Sequence, residues 1–63
     1  MPEAEELVST AAAALLLGVT RMQVRYLIRT GRLRAVREGN LWKVARRSVE
    51  ALKEALRERA EAD

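Results

Sequence analysis

The cationic residues of the chain, which are the groups that can bind a negatively charged partner, are concentrated in its middle. Of the 12 Lys and Arg residues in the 63-residue sequence, nine fall in residues 21–47, where Glu38 is the one acid. The flanking segments, residues 1–20 and 48–63, are net acidic. A basic stretch between acidic ends is typical of a surface that binds a polyanion such as nucleic acid. The plainer alternative is a solvated, arginine-rich surface with no partner.

The residue types that the sequence lacks exclude much other chemistry. It contains no Cys and no His, which excludes zinc sites, disulfides and thiol or imidazole catalysis. A single small core with one Trp, one Tyr and no Phe leaves no room for an enclosed substrate pocket. We therefore expect no catalytic residue, no metal, no cofactor and no enzymatic activity.

The segment 21–30 holds the candidate base-reading residues. In a helix, Val24, Leu27 and Ile28 share one core-facing stripe, which leaves a polar and basic face opposite. Arginine can bind guanine O6 and N7 through two hydrogen bonds, and glutamine can do the same for adenine. The N-terminal residues of a recognition helix reach deepest into the major groove. We predict base readout by Arg21, Met22, Gln23 and Arg25.

Other polar residues are candidates for contacts outside the base edges. A tyrosine hydroxyl or a cation can bind a phosphate, and a cation at a helix start opposes the macrodipole, which favours a role other than helix stability. The predicted contacts to the DNA backbone are Thr20, Tyr26, Arg29, Arg46 and Arg47. The predicted wing contacts, to the minor groove or to flanking phosphates, are Arg34, Arg37, Asn40 and Lys43.

Several of these residues have local alternatives. Tyr26 could shield the hairpin, Met22 could be a passive surface residue, and Arg21 could cap or pair within its helix. Arg37 could stack on the Trp42 indole instead of touching DNA. Trp42 itself is expected in the core, because a small domain needs its only large aromatic side chain.

Capping residues predict the first two helices. Ser9 is a good N-cap for a helix over residues 10–17, which Gly18 ends in the left-handed conformation. Thr20 is the N-cap of a second helix over residues 21–30, which a second glycine ends. Two short helices joined by Gly-Val-Thr form a helix-turn-helix, with the valine packed between them.

The pattern then changes from helical to alternating and back. Residues 33–37 and 41–45 read as two strands around a turn at 38–40. Residues 46–48 lead into a third helix that runs to about residue 60, with an apolar stripe at Val49, Leu52 and Leu56. The sequence therefore predicts a mostly α fold with a small β-hairpin, a winged helix-turn-helix made of a helix-turn-helix, a two-stranded wing and a C-terminal helix.

This domain is expected over residues 7–60, after a disordered acidic leader at 1–6 and before a frayed tail at 61–63. The apolar run at 11–17 follows acids rather than the basic region of a signal peptide, and it is too short to cross a membrane. We expect a soluble, cytoplasmic protein with no membrane partner.

Several of these stretches together resemble the excisionase-type DNA-binding domain of the MerR-like winged-helix group. The resemblance runs from residue 7 to about 56, and Arg25-Tyr26 is similar to an Arg-Tyr pair of that group. The chain departs from the family where its first helix has alanines in place of glutamates and where Ala45 replaces a proline. The stretches that carry the likeness are residues 9–20, Val24 and residues 27–33, 35–37 and 41–44.

The resemblance implies double-stranded DNA as the partner and an architectural role without catalysis. Stand-alone members are often phage or mobile-element excisionases, recombination directionality factors that bind repeated sites cooperatively, bend DNA and direct an integrase towards excision. An integrase and further copies of the chain are the other partners implied. Because the chain ends at Asp63, we expect neither the dimerisation helix nor the effector domain of full MerR-type activators, and no small-molecule effector.

Two alternatives remain open. The first is a small stand-alone MerR-like transcription regulator with the same fold. The second belongs to another class: a protein-interaction module that binds a partner helix through its third helix.

Overall fold

The computed structural model describes residues 5–62 and contains three helices and three short strands. The elements are β1 (Leu7–Ser9), α1 (Thr10–Leu17), α2 (Arg21–Arg29), β2 (Ala35–Glu38), β3 (Leu41–Ala45) and α3 (Arg46–Ala62). This confirms the predicted fold class, which is mostly helical with a small hairpin and compatible with a winged helix-turn-helix.

The bend between α1 and α2 begins at Gly18. Ser9 caps α1 by accepting a hydrogen bond from the Ala12 N–H at 3.0 Å. Gly18 ends α1 with φ of 73°, a left-handed conformation that glycine adopts without the steric cost of a Cβ. The axes of α1 and α2 are bent by 100°, within the range of about 90–120° for a helix-turn-helix. Val19 is half-buried against the core, as predicted.

No single helix within residues 5–62 is long and apolar enough to cross a membrane. The helices α1 and α2 reach that length and composition only as a bent pair.

The sheet has one strand more than the predicted hairpin. β1 pairs antiparallel with β3, which also pairs with β2, so the strand order is β1-β3-β2. β1 is only three residues long, and alternation of apolar and polar residues cannot be recognised over so short a segment. The strand extends the sheet beyond the wing and brings the residues before it against the start of α3.

β2 begins two residues later than predicted and ends one residue later. The backbone N–H groups of Leu33 and Arg34 are used outside the sheet: they donate to the Leu27 carbonyl at 3.1 Å and to Ser48 Oγ at 2.8 Å. The register then pairs Glu38 with Leu41, which leaves a two-residue turn. The prediction of a strand over 33–37 is therefore wrong at both ends.

The core is small and is built mainly from aliphatic side chains of α1, α2, β3 and α3. Val24, Val44 and Val49 are its largest fully buried side chains. The predicted inward face of α2 is confirmed, since Leu27 and Ile28 pack half-buried against the same cluster. The complete buried cluster is Ala13, Ala14, Val24, Leu33, Val44 and Val49.

α3 and α2 differ from their predicted lengths by one or two residues. α2 ends at Arg29, one residue earlier than predicted, while α3 runs through residues 61–62 of the expected tail. Residue 63 lies outside the described residues.

The predicted apolar stripe of α3 is wrong at Leu56, which is 45% exposed. Val49 and Leu52 contact the core, but the helix has passed the edge of the core before it reaches Leu56.

The residues before β1 dock on the end of the sheet through ion pairs. Glu5 pairs with Arg34, and Glu6 pairs with Arg46 at 3.2 Å. The Arg46 N–H donates to the Glu6 carbonyl at 2.9 Å, and its side chain also reaches Glu50 at 3.3 Å. Of the acidic leader predicted at 1–6, residues 1–4 lie outside the described residues.

These contacts favour the charged form of Arg46. The pKa of Arg46 is raised, first by the side-chain hydrogen bond to Glu6, then by the charge of Glu6 and by Glu50. Arginine is already protonated in folded proteins, so the shift adds to the preference for the charged form and does not change the charge.

The burial pattern predicts which aliphatic side chains hold the fold together. Val24→Ala removes two methyl groups from a fully buried site, and we expect it to lower the free energy of unfolding by about 2 kcal/mol. Leu15→Ala is the matched control, because Leu15 is 85% exposed; its effect should stay within about 0.5 kcal/mol. Urea denaturation followed by circular dichroism measures both, and equal losses would contradict this description of the core.

Candidate nucleic-acid interface

α2 presents a basic face to solvent beside its core contacts. Arg21, Arg25 and Arg29 are all exposed and repeat every four residues, so they form one ridge of positive charge along the helix. Like charges at this spacing destabilise an isolated helix by about 0.2–0.5 kcal/mol per pair. A bound anion attracts each of these cations and so offsets their mutual repulsion, which makes the ridge suited to a polyanion.

Two large side chains stand beside this ridge. Met22 is 80% exposed and Tyr26 is 63% exposed. In a domain with so few large apolar residues, leaving these two in water forgoes burial that would stabilise the fold. Their placement provides a methyl group and a phenol hydroxyl on the same face as the guanidinium groups.

Thr20 and Gln23 are joined in a capping box that starts α2. The Thr20 hydroxyl accepts the Gln23 N–H at 3.1 Å, and Gln23 Oε1 accepts the Thr20 N–H at 2.9 Å. The Thr20 hydroxyl also donates to the same Oε1 at 3.3 Å. Bidentate readout of adenine needs both ends of the glutamine amide, whereas here the oxygen is already bonded. The Gln23 amide oxygen is therefore engaged at the start of α2, while base readout by Gln23, like that by Arg21, Met22 and Arg25, stays a prediction.

A signal for this capping box is present in the sequence. Threonine followed three residues later by glutamine is the spacing at which the two side chains bond each other's backbone N–H. The pair could therefore have been assigned to the helix start from the sequence.

A groove of about 450 Å³ lies between α2 and the wing. It combines three guanidinium groups and one amide with the apolar surfaces of an isoleucine and the indole. Within residues 5–62, the arginines in ion pairs are Arg34, Arg46 and Arg57, and all three lie outside the groove. The residues that line the groove are Arg25, Ile28, Arg29, Arg37, Asn40 and Trp42.

Arg37 and Trp42 face each other across the hairpin. They are register partners on β2 and β3, and the guanidinium carbon of Arg37 lies 5.8 Å from the centroid of the indole. This distance is within the range of a cation–π contact. The structure therefore shows the contact with the indole that the sequence suggested for Arg37, while a contact of Arg37 with DNA stays a prediction.

Trp42 is not in the core, contrary to expectation. Its half-buried indole lines the groove. Val44 occupies the core position on the same face of β3, and Trp42 lies two residues nearer the turn, past the edge of the core.

Four other predicted contact residues lie away from the groove. Arg34 and Arg46 are ion-paired at the end of the sheet opposite the wing turn. Lys43 lies on the sheet face opposite Trp42, because neighbouring residues of a strand alternate in direction. Arg47 is exposed in the first turn of α3. The structure brings together Arg25, Arg29, Arg37 and Asn40 from the predicted set.

Two groove residues, Ile28 and Trp42, are absent from the predicted contacts. Ile28 serves the core and the groove at once, since it packs on the buried cluster and also lines the opening. The sequence feature that could have identified Trp42 as a groove residue is its predicted position opposite Arg37 in the hairpin.

Comparison with known proteins gives one family. Residues 7–57 match the model of the helix-turn-helix domain. That range contains both helices of the turn motif, all three strands and most of α3. No significant match to the chain was found among curated proteins or among solved structures.

The capping box predicts a stability effect at the start of α2. Thr20→Ala removes the hydroxyl that caps the helix, and we expect the free energy of unfolding to fall by about 1 kcal/mol. Thr20→Ser keeps the hydroxyl and should retain most of that stability. Thermal unfolding of both variants provides the measurement, and a serine variant as unstable as the alanine variant would show that the hydroxyl does not cap the helix.

Proposed function

The chain belongs to the helix-turn-helix domain family, and from this premise we propose that it binds double-stranded DNA sequence-specifically, with α2 as the recognition helix. Domains of this family typically bind DNA and do not catalyse reactions. The observation that carries the proposal is the ridge of Arg21, Arg25 and Arg29 on the exposed face of α2.

The roles of the α2 side chains follow from their positions along the helix. Arg21 and Met22 lie in its first turn, the part of a recognition helix that enters the major groove most deeply. Arg25 lies one turn later and is the best candidate for a bidentate contact to guanine. Tyr26 and Arg29, further along, are placed to contact phosphates. Gln23 secures the start of the helix through the capping box, and base readout by its amide stays a prediction.

Within this function we propose an architectural role of the excisionase type. The supporting features are the resemblance to the excisionase-type domain, the wing beside α2 and the small size of the binding unit. A single module of this kind buries only about 600–1,000 Å² of protein surface on DNA. Several copies on adjacent repeats would therefore be needed for tight binding, with bending of the DNA and recruitment of an integrase as the outcome.

The DNA-binding proposal makes a quantitative prediction about salt. With about five to seven phosphate contacts, the logarithm of the binding constant should fall against the logarithm of salt concentration with a slope of about −5 to −6. Fluorescence anisotropy with a duplex selected from a random pool by the wild-type protein measures this slope. Absence of binding even at low salt would overturn the DNA-binding function and favour a protein-interaction module.

A charge-matched pair of variants tests the recognition helix. Arg25→Ala should weaken binding to the selected duplex about 5- to 150-fold and relax the base preference at one position, because a bidentate guanine contact is lost. Arg59→Ala removes the same charge from the last turn of α3, outside the groove, and should change affinity only slightly. Equal effects of the two substitutions would indicate a purely electrostatic attraction.

The excisionase role is tested by the number of copies bound. On duplexes with one, two and three tandem sites, mobility-shift titrations should become steeper as sites are added, and fluorescence energy transfer between the DNA ends should increase as the DNA bends. Tight binding to one isolated site, without cooperativity or bending, would instead favour a transcription regulator.

A further inference from the structure

We propose that Trp42 is a positioning residue for Arg37, so that the wing grips a sugar–phosphate strand in the groove beside α2 instead of inserting Arg37 into the minor groove. The proposal rests on the DNA-binding function and assigns the ligand of the groove. It gives a role to the one tryptophan, whose indole lies outside the core cluster.

The contact with the indole fixes where Arg37 can act. An arginine side chain is long and flexible, and one that reads a narrow minor groove must extend away from its strand. Here the guanidinium lies over the indole of its cross-strand partner. The indole itself lines the groove that Arg25 and Arg29 also line. Arg37 is therefore directed towards α2 rather than past the tip of the wing.

The contact with the indole leaves Arg37 able to bind a phosphate. The five N–H donors of a guanidinium point outward in its plane, so a guanidinium that contacts an aromatic ring keeps donors for a phosphate. The cation–π contact with Trp42 and a charge-assisted hydrogen bond to a phosphate oxygen use different parts of the group. The two contacts are compatible, and each keeps the side chain in the geometry that the other needs.

The composition of the groove matches one strand of nucleic acid backbone. Three guanidinium groups and the Asn40 amide suit phosphate oxygens, while Ile28 and the indole offer apolar surface to deoxyribose. The volume of about 450 Å³ is within the range of about 300–1,000 Å³ found for sites that hold small molecules. A phosphodiester with its adjoining sugars supplies both kinds of surface.

The coupling between the two residues is tested by a double-mutant cycle. The variants are Arg37→Ala, Trp42→Leu and their combination, with Trp42→Phe as the conservative control that keeps a ring. Binding to the selected duplex should weaken about tenfold in each single variant, with little further loss in the combination, while Trp42→Phe retains most of the affinity. Losses that multiply in the combined variant would overturn the proposal, as would wild-type affinity of Arg37→Ala.

The ligand of the groove is tested by neutralising one phosphate at a time. Duplexes that carry a single methylphosphonate at successive positions should reveal at least one position that weakens the wild-type protein but not Arg37→Ala or Trp42→Leu. If Trp42 only stabilised the fold, Trp42→Leu would weaken binding to every one of these duplexes alike. If the effect of Arg37→Ala instead depends on an A·T-rich flank, Arg37 reads the minor groove and the proposal is wrong.

Two measurements keep the test decisive if Trp42→Leu fails to fold. Arg37 is exposed, so the methylphosphonate comparison can be made with Arg37→Ala alone. Trp42 is the only tryptophan, and its fluorescence should change when the wild-type protein binds the duplex. Binding without that change would overturn the groove assignment while leaving the DNA-binding function intact, whereas absence of wild-type binding would overturn both.

Discussion

Val24, Val44 and Val49, from α2, β3 and α3, are fully buried in one cluster that packs on α1, and the arrangement of the helices and the sheet depends on that cluster. The alanines Ala13 and Ala14 are the buried contribution of α1. Their small side chains allow α1 to lie close to its neighbours, so a core without large aromatic rings can still be densely packed. Because α2 and β3 both contribute to this core, the packing places α2 beside the hairpin and leaves the groove between them.

The parts of the fold that could be predicted from the sequence are those with a local cause. Ser9, Gly18 and Thr20 act within one turn of their own positions, and the bounds that they set for α1 and the start of α2 are correct. β1 could not be predicted, since its three residues become a strand only by pairing with β3, more than 30 positions away. The late start of β2 has the same kind of cause, because Ser48 of α3 takes the Arg34 N–H out of the sheet.

The candidate site also has one part with a local cause in the sequence and another part that depends on tertiary packing. The exposed face of α2 followed from helical periodicity, but the groove depends on how the hairpin is placed against the helix. Residues 21–47 contain nine cations, and the sequence does not indicate which of them are ion-paired. Folding gives Arg34 and Arg46 carboxylate partners at one end of the sheet and leaves Arg25, Arg29 and Arg37 around the groove. Which cations belong together is decided by strand register and ion pairing, neither of which is visible in charge counts.

The capping box has a consequence for how such a domain can change its target. Arg21, Met22 and Arg25 are exposed, and none of the side-chain hydrogen bonds found among residues 5–62 involves them. Under the proposed DNA-binding function, mutations at these positions can alter recognition with little effect on folding. Gln23 stands among them but also secures the first turn of α2, so a change there alters helix stability together with any contact to DNA. The same proposal implies that evolution towards a new binding sequence is less constrained at Arg21, Met22 and Arg25 than at Gln23.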